Sequence, residues 1–296
     1  MNRFNLPLLG LVMLLTGFIP VPVRAETETL QSIRLHPSAT EIQLLPGASV
    51  TKKMTIVNKG SAEQKVQFYA RPYRVEGKQY TPFFNAHPTA TNAAEWVTLG
   101  SSSEIIKPQG VLYVDYTVSV PANTKPGGYY AVIFTETQPK AQTGVGSHGR
   151  VGNILYITVG EGGSPHINAS ADTSFRVSLG TPITIKTDIE NSGATHTIAK
   201  TETSIATIFG GKVFQDNTER YVLPGTTRSI ETAPQALGTG IFKVDRRVTA
   251  MDKMEQLDSQ VIVSVSGRTL IIGPIIVVLV GSIVAGLISS RRKTIR

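Results

Sequence analysis

The chain has 296 residues, 41% of them apolar, 17% charged and none of them cysteine, with a formal charge of +8. The absence of cysteine excludes disulfides, thiolate metal sites and thiol nucleophiles. The charge is concentrated at the ends: with Arg3, Arg24, Arg291, Arg292, Lys293 and Arg296 set aside, 23 basic residues face 21 acidic ones. A nucleic-acid interface needs a dense basic surface to neutralise phosphates, and none is present in the middle of the chain.

Residues 1–25 read as a signal peptide, with Arg3 at the start, an apolar run from Leu6 to Ile19 and cleavage expected after Ala25. From Ser32 to Val159 short β-type runs follow one another. Leu112, Val114, Tyr116, Val118 and Val120 alternate with Val111, Tyr113, Asp115, Thr117 and Ser119, the period of a strand with one buried face. Val66, Phe68 and Ala70 alternate in the same way. Tyr130, Val132 and Phe134 do so less cleanly, and Leu155, Ile157 and Val159 close the set. About seven strands and no helix predict an immunoglobulin-like β-sandwich over 26–160.

Gly160-Glu161-Gly162-Gly163-Ser164-Pro165 reads as a flexible boundary, with the linker at 161–165. A second sandwich is predicted over 166–267. Ile183, Ile185 and Ile189 face one side, and further strands are expected at Ile198–Phe209, Arg228–Thr232, Phe242–Ala250 and Gln260–Val265. The halves look like repeats: VTKKMTIVNKG at Val50–Gly60 and ITIKTDIENSG at Ile183–Gly193 share five of eleven positions, both ending in Asn-x-Gly, a pattern suited to a turn with positive φ. Tyr129 or Tyr130, after a glycine pair, suits a tyrosine whose hydroxyl bonds to nearby backbone.

Thr269–Ile288 is a 20-residue run without charge, the length of a membrane-spanning helix, and the tail 289–296 holds four basic residues and no acid. The positive-inside rule places that tail in the cytoplasm and the bulk of the chain outside, extracellular or periplasmic. The expected fold class is therefore all-β: two tandem immunoglobulin-like sandwiches and one C-terminal transmembrane helix.

Leu45-Pro46-Gly47, Asn58-Lys59-Gly60, Val120-Pro121 and Pro126-Gly127-Gly128-Tyr129-Tyr130-Ala131 resemble the first domain of WxL-interacting surface proteins, and Leu223-Pro224-Gly225-Thr226-Thr227-Arg228 resembles a strand start in their second. The resemblance implies a signal peptide, two sandwiches, a membrane anchor with a basic tail, and a scaffold that binds the cell wall or another surface protein.

Chemistry is sparse. His36, His87, His148, His166 and His196 lack zinc-type spacing, and no GxSxG, Walker A or dinucleotide fingerprint occurs. The glycine-rich Gly144–Gly152 has no helix after it to hold a phosphate and reads as a hairpin loop. Leu223-Pro224-Gly225-Thr226-Thr227 nearly spells a sortase signal but lies too far before the apolar run. No enzyme activity and no cofactor or metal is expected.

Two stretches suggest binding. Arg71–Trp96 holds Tyr73, Tyr80, Phe83 and Phe84, a candidate partner-binding loop, because aromatic rings on a rigid scaffold give contact area at low entropic cost. The ordinary alternative, that these rings cap the first core, is preferred. Gly152, Ile154 and Tyr156 lie on a strand that follows a long loop, Gln138–Val151, and form a candidate strand-donation region. The leading expectation is a non-catalytic, membrane-anchored surface protein that binds another surface protein or a wall polymer. The first alternative is a chaperone-like assembly factor for surface fibres that works by strand donation, and the second is a wall-associated hydrolase.

Overall fold

A computed structural model describes residues 33–84, 90–138, 149–161, 163–234, 237–251 and 253–270. The predicted signal peptide and most of the predicted transmembrane helix, residues 271–288, lie outside them, as does the basic tail. Among the described residues no helix is long and apolar enough to cross a membrane.

In chain order the first half contains β1 (Ile33–His36), β2 (Ala39–Leu44), β3 (Ser49–Asn58), β4 (Gln64–Pro72), β5 (Arg74–Glu76) and β6 (Thr81–Phe83). After a 3-10 turn at Ala94–Trp96 come β7 (Val97–Leu99), β8 (Ser103–Ile106), β9 (Val111–Ser119), β10 (Gly127–Thr137) and β11 (Arg150–Val159). They form two facing sheets, ordered β1-β3-β9-β7 and β2-β11-β10-β4-β8, while β5 and β6 make a separate hairpin. The inward rows pack into one core, with Met54 and Ile56 from β3, Val114, Tyr116 and Val118 from β9, and Leu155, Ile157 and Val159 from β11. The period-two pattern of β9 is the direct cause, since alternate side chains of a strand point to opposite faces.

The second half contains β12 (Ile167–Ala171), β13 (Arg176–Leu179), β14 (Ile185–Asn191), β15 (Thr197–Thr207), β16 (Lys212–Val222), β17 (Thr226–Thr232), β18 (Gly240–Ala250) and β19 (Lys253–Val265). Its sheets are ordered β12-β14-β17 and β13-β19-β18-β15-β16. The all-β, immunoglobulin-like character is plain in both halves.

The two sandwiches repeat one topology. In each, the first strand is split between the sheets: β1 pairs antiparallel with β3 and β2 parallel with β11, just as β12 pairs antiparallel with β14 and β13 parallel with β19. The sequence repeat lands on β3 and β14. Its shared asparagines have one job: Asn58 and Asn191 are both fully buried. Asn58 donates to the carbonyls of Ala62, Ile106 and Lys107, and Asn191 to those of Thr195 and Val222. Each side-chain oxygen accepts the N–H two residues on, from Gly60 and Gly193. The expectation of a positive-φ glycine at these turns is corrected, because neither glycine adopts one. The side chain of the asparagine, acting as a knot between backbone segments, is what the motif supplies.

The core of the second sandwich is less apolar. Arg246 is fully buried on β18 between the inward-facing Val244 and Val248, with its guanidinium donating to the backbone carbonyls of Asp172 and Lys186. Thr187, Thr201, Thr203, Thr232 and Gln260 are buried as well. The strand β16 has no counterpart among the expected strands. It is an edge strand whose residues are nearly all exposed or half-exposed, so no apolar row marks it.

Tyr129 donates its hydroxyl to the Lys125 carbonyl at 2.9 Å and packs on Trp96, with ring centroids 4.7 Å apart. Tyr130, next in sequence, points the other way, out of the first core and toward the second sandwich.

Candidate functional site: the junction between the sandwiches and an open strand edge

The strand β10 is buried along almost its whole length. Ala131 and Ile133 face the first core, while Tyr130, Val132 and Phe134 face outward into a second apolar cluster with Tyr73, Tyr80, Tyr156 and Leu223. This explains why its alternation is blurred in the sequence: a strand covered on both faces needs no polar row. The cover comes from the β5–β6 hairpin and from the second sandwich.

The junction is built on rings. Tyr156 of β11 stacks on Tyr221 of β16, centroids 3.9 Å apart and planes 10° from parallel. His196 lies beside both, 5.1 Å from Tyr156 and 6.1 Å from Tyr221 by ring centroid, with Nδ1 3.5 Å from the Tyr130 hydroxyl. The hairpin supplies the polar part of the clasp. The Tyr80 hydroxyl accepts the Leu223 N–H at 2.7 Å and bonds with the Thr226 hydroxyl, and the Arg228 guanidinium sits 4.3 Å from the Tyr80 ring centre. The Lys78 carbonyl accepts the Ser229 N–H at 2.8 Å, and the Lys78 ammonium pairs with Asp188. Tyr80 itself has φ of 59°, a left-handed backbone that tyrosine seldom takes. The bonds to the second sandwich hold it there.

Burial dominates the electrostatics of this junction. It pushes the Tyr130 and Tyr156 hydroxyls far above their ordinary range. Tyr221, also affected by Glu41, is pushed up to about 12. Burial drives the His196 imidazole below its ordinary value of 6.5, with Glu41 partly opposing. His196 therefore sits neutral among Tyr130, Tyr156, Tyr221 and Glu41. With the folded value depressed, the unfolded chain binds the proton more readily. Stability is thus fully present above 6.5 and is expected to fall as the pH drops through the window below it. Urea midpoints measured at pH 7.5 and 5.0 should show this loss, and His196→Phe should remove the part of it that comes from this ring. A pH dependence unchanged in that variant would show that His196 is not its source.

The residues singled out from the sequence divide as follows. Tyr73 and Tyr80 are buried in the junction. Phe84 is half-buried there, its ring 4.9 Å from that of Phe134. Phe83 points elsewhere, under the Arg74 guanidinium at 4.9 Å. Of the four rings of the expected binding loop, Tyr80 ties the hairpin to the second sandwich, while Tyr73 and Phe84 pack the hairpin onto Tyr156 and Phe134 of the first. The other half of the junction, His196, Tyr221, Leu223, Thr226 and Arg228, had no sequence signal beyond the Leu-Pro-Gly turn, because its partners are about 40–150 residues away in the chain.

The expected strand-donation residues lie on β11, but β2 covers part of that edge. Parallel pairing runs from Ile154–Ala39 to Val159–Leu44, and the Ile154 N–H is taken by the Ser38 carbonyl. Ile154 and Tyr156 are therefore not free to donate. Gly152 is: among the described residues no strand pairs with Arg150–Asn153 on the side away from β10. The N–H groups of Ile154 and Gly160 face β2, so by the two-residue period those of Arg150 and Gly152 face the open side. The edge is open because the chain crosses to the other sheet at Pro37–Ser38, leaving β2 to start only at Ala39. Gly152 also allows close packing, since a Cβ there would lie 2.8 Å from Val132 Cγ2.

In the second sandwich β13 likewise covers only Ile262–Val265 of β19. There the uncovered stretch is bridged: the Gln260 amide donates to the Ser174 carbonyl and the Glu255 carboxylate accepts the Ala169 N–H.

Among the described residues no group of three or more His, Asp or Glu side chains is placed to hold a metal ion.

No family model and no curated protein matches the sequence. Similar solved structures include the YadV chaperone, at 8% identity over 77% of this chain and 100% of that one, TM-score 0.42. Another is the chaperone–tip adhesion subunit complex CsuC–CsuE of Acinetobacter baumannii, at 12% identity over 80% of this chain and 100% of that one, TM-score 0.41. A third is the E. coli chaperone DraB, at 13% identity over 78% and 97%, TM-score 0.39. Likeness at this level concerns the fold and not the partner or mechanism. The leading expectation, a membrane-anchored surface protein that binds a surface protein or wall polymer, is corrected. Of the aromatic rings that were to form the binding surface, Tyr73 and Tyr80 are buried and Phe84 is half-buried in the apolar cluster of Tyr130, Val132, Phe134 and Tyr156.

Proposed function

We propose that the chain is a chaperone-like assembly factor that holds an exported partner by adding the open edge of β11 to the partner's incomplete sheet. The observation that carries this reading is the edge at Arg150–Asn153, which no strand covers among the described residues and whose other flank is held by β10. An unpaired row of N–H and C=O groups on a rigid strand is a ready template for another strand. The rigid aromatic junction supports the reading, because a template already ordered loses little entropy on binding.

Arg150 and Gly152 offer two outward N–H and two outward C=O groups. At about 0.5–1.5 kcal/mol net for each bond, they supply roughly 2–6 kcal/mol. That is enough to hold a partner reversibly and to release it to a better strand. The partner class is an immunoglobulin-like fibre subunit that lacks one strand, and the chaperone of the Acinetobacter complex is itself bound to a tip adhesion subunit. The positively charged, apolar N-terminal stretch supports export as the setting.

The test is Arg150→Pro, which removes one outward N–H and no backbone bond to β10, at a place where an edge strand tolerates proline; Arg150→Ala, which loses the same guanidinium contacts with Phe134 and Phe84 but keeps the N–H, is its reference and should capture more strongly than the proline variant. The full chain is mixed with a pilin subunit deleted for its last strand. The wild type is expected to form a stable complex in which the Arg150 and Gly152 amides become protected from hydrogen exchange. Arg150→Pro should weaken capture by about tenfold, the loss of roughly one bond with its geometry, while its circular dichroism stays unchanged. Capture that is equally strong in the variant, or that leaves those amides exchanging freely, would overturn the reading.

A further inference from the structure

We infer that the pole of the second sandwich from which the chain runs toward its C-terminus rests on a lipid bilayer. Most exposed apolar side chains on a folded domain are scattered, but here they gather. On the outer face of the five-stranded sheet, Val177 is paired with Val263 and Val263 with Ile241, and the Ile208 N–H bonds to the Ile241 carbonyl at 3.2 Å. Val177 and Ile208 are each 55% exposed, Leu179 58% and Phe209 94%. Phe209 is not on a loose loop. The Thr207 N–H donates to the Gly211 carbonyl and the Gly210 N–H to the Thr207 carbonyl, so a closed turn with Gly210 at φ 87° holds the ring out into solvent. A contiguous patch of this kind marks a contact surface.

Two observations point to lipid as what covers it. The first is the path of the chain. After β19 ends at Val265, Ser266 alone precedes a helical turn at 267–270. The Ser266 hydroxyl oxygen accepts the Thr269 N–H, and the Thr239 and Thr269 hydroxyls bond at 2.7 Å, which ties the turn to the sandwich. Leu270, half-exposed, packs beside Gly180 on the same pole. From Thr269 the sequence continues without a charge to Ile288. A run of that length and character partitions into hydrocarbon, and no spacer separates it from the patch. The second is charge. The segments that make this pole, 176–183, 207–214, 237–242 and 266–270, carry Arg176, Lys212 and Arg268 and no carboxylate of their own; Arg176 is paired with Asp172 just outside them, so the positive charge of the rim rests on Lys212 and Arg268. Anionic headgroups attract such a rim while the rings enter the acyl boundary. A second copy of the chain would set Lys212 and Arg268 against their own equivalents, like charges that favour the lipid over a dimer.

The absence of cysteine makes the test direct. Phe209→Cys in the full chain is labelled with a polarity-sensitive fluorophore and reconstituted into vesicles of phosphatidylcholine and phosphatidylglycerol. Part of the lipid carries bromine near the headgroup end of the acyl chains. Glu63→Cys, exposed on the first sandwich, is the reference. The label at position 209 is expected to lose roughly half its fluorescence or more to brominated lipid, while the label at position 63 loses none. No quenching at position 209, equal quenching at both positions, or label–label coupling between two chains at position 209 would each overturn the proposal. None of these outcomes depends on the open edge of β11, so this test and the capture experiment fail or succeed separately.

Discussion

Tyr80→Ala is expected to lower stability by about 3–5 kcal/mol, the range for truncating a large buried ring, and to split thermal unfolding of the chain into two transitions. Tyr80 is 7% exposed and is the one hairpin side chain that contacts Leu223, Thr226 and Arg228 together. Its removal leaves the Leu223 N–H buried without its acceptor, which adds to the cost of the cavity. The second sandwich then loses a main tie to the first, so each melts according to its own core. Tyr80→Phe keeps the ring under Arg228 and loses only the hydroxyl, and should cost about 1–3 kcal/mol, the penalty for an unsatisfied buried donor. Calorimetry of the three proteins checks the order. An unchanged melting temperature in Tyr80→Ala, with partner capture lost, would return this ring to the role of an exposed binding surface.

The second large effect is expected at the repeated asparagines. Asn191→Ala removes the partner of two carbonyls, those of Thr195 and Val222, and of two N–H groups, those of Gly193 and His166. Water has little access to a fully buried site, so several of these groups stay unsatisfied. At about 1–3 kcal/mol for each, a total of at least about 4 kcal/mol follows. Asn58→Ala should do the same to the first sandwich, where three carbonyls lose their donor. The distinguishing feature is locality. Hydrogen exchange followed by mass spectrometry should show β12–β19 opening in Asn191→Ala with β1–β11 protected, and the reverse in Asn58→Ala. Asn191→Asp sharpens the test, because a carboxylate still accepts the Gly193 and His166 N–H groups but repels the two carbonyls. It should be at least as damaging as alanine. Equal loss of protection in both sandwiches would mean that the knots act through the junction and not within their own domains.

The sequence alone was enough to establish the strand class, the faces of β9 and β14 and the repetition of one unit. Each of these rests on contacts between residues that share a strand or a turn, where side-chain alternation and the Asn-x-Gly spacing are local facts. It also singled out Tyr73, Tyr80 and Phe84, but their chemistry suits an exposed loop and a buried junction equally well. Only the placement of Phe134 and Tyr156 against Phe84 and Tyr73, and of Leu223, Thr226 and Arg228 against Tyr80, decides between the two, and that placement depends on how the hairpin folds back and how one sandwich docks on the other. The open edge of β11 is of the same kind. Gly152, Ile154 and Tyr156 look alike as donors along the strand, yet β2, folded in from more than a hundred residues earlier, closes the edge at Ile154 and, among the described residues, nothing pairs with it at Gly152. Backbone hydrogen bonds between distant strands have no sequence signature because every residue but proline can make them. Which of them remain unmade is therefore settled by the tertiary structure.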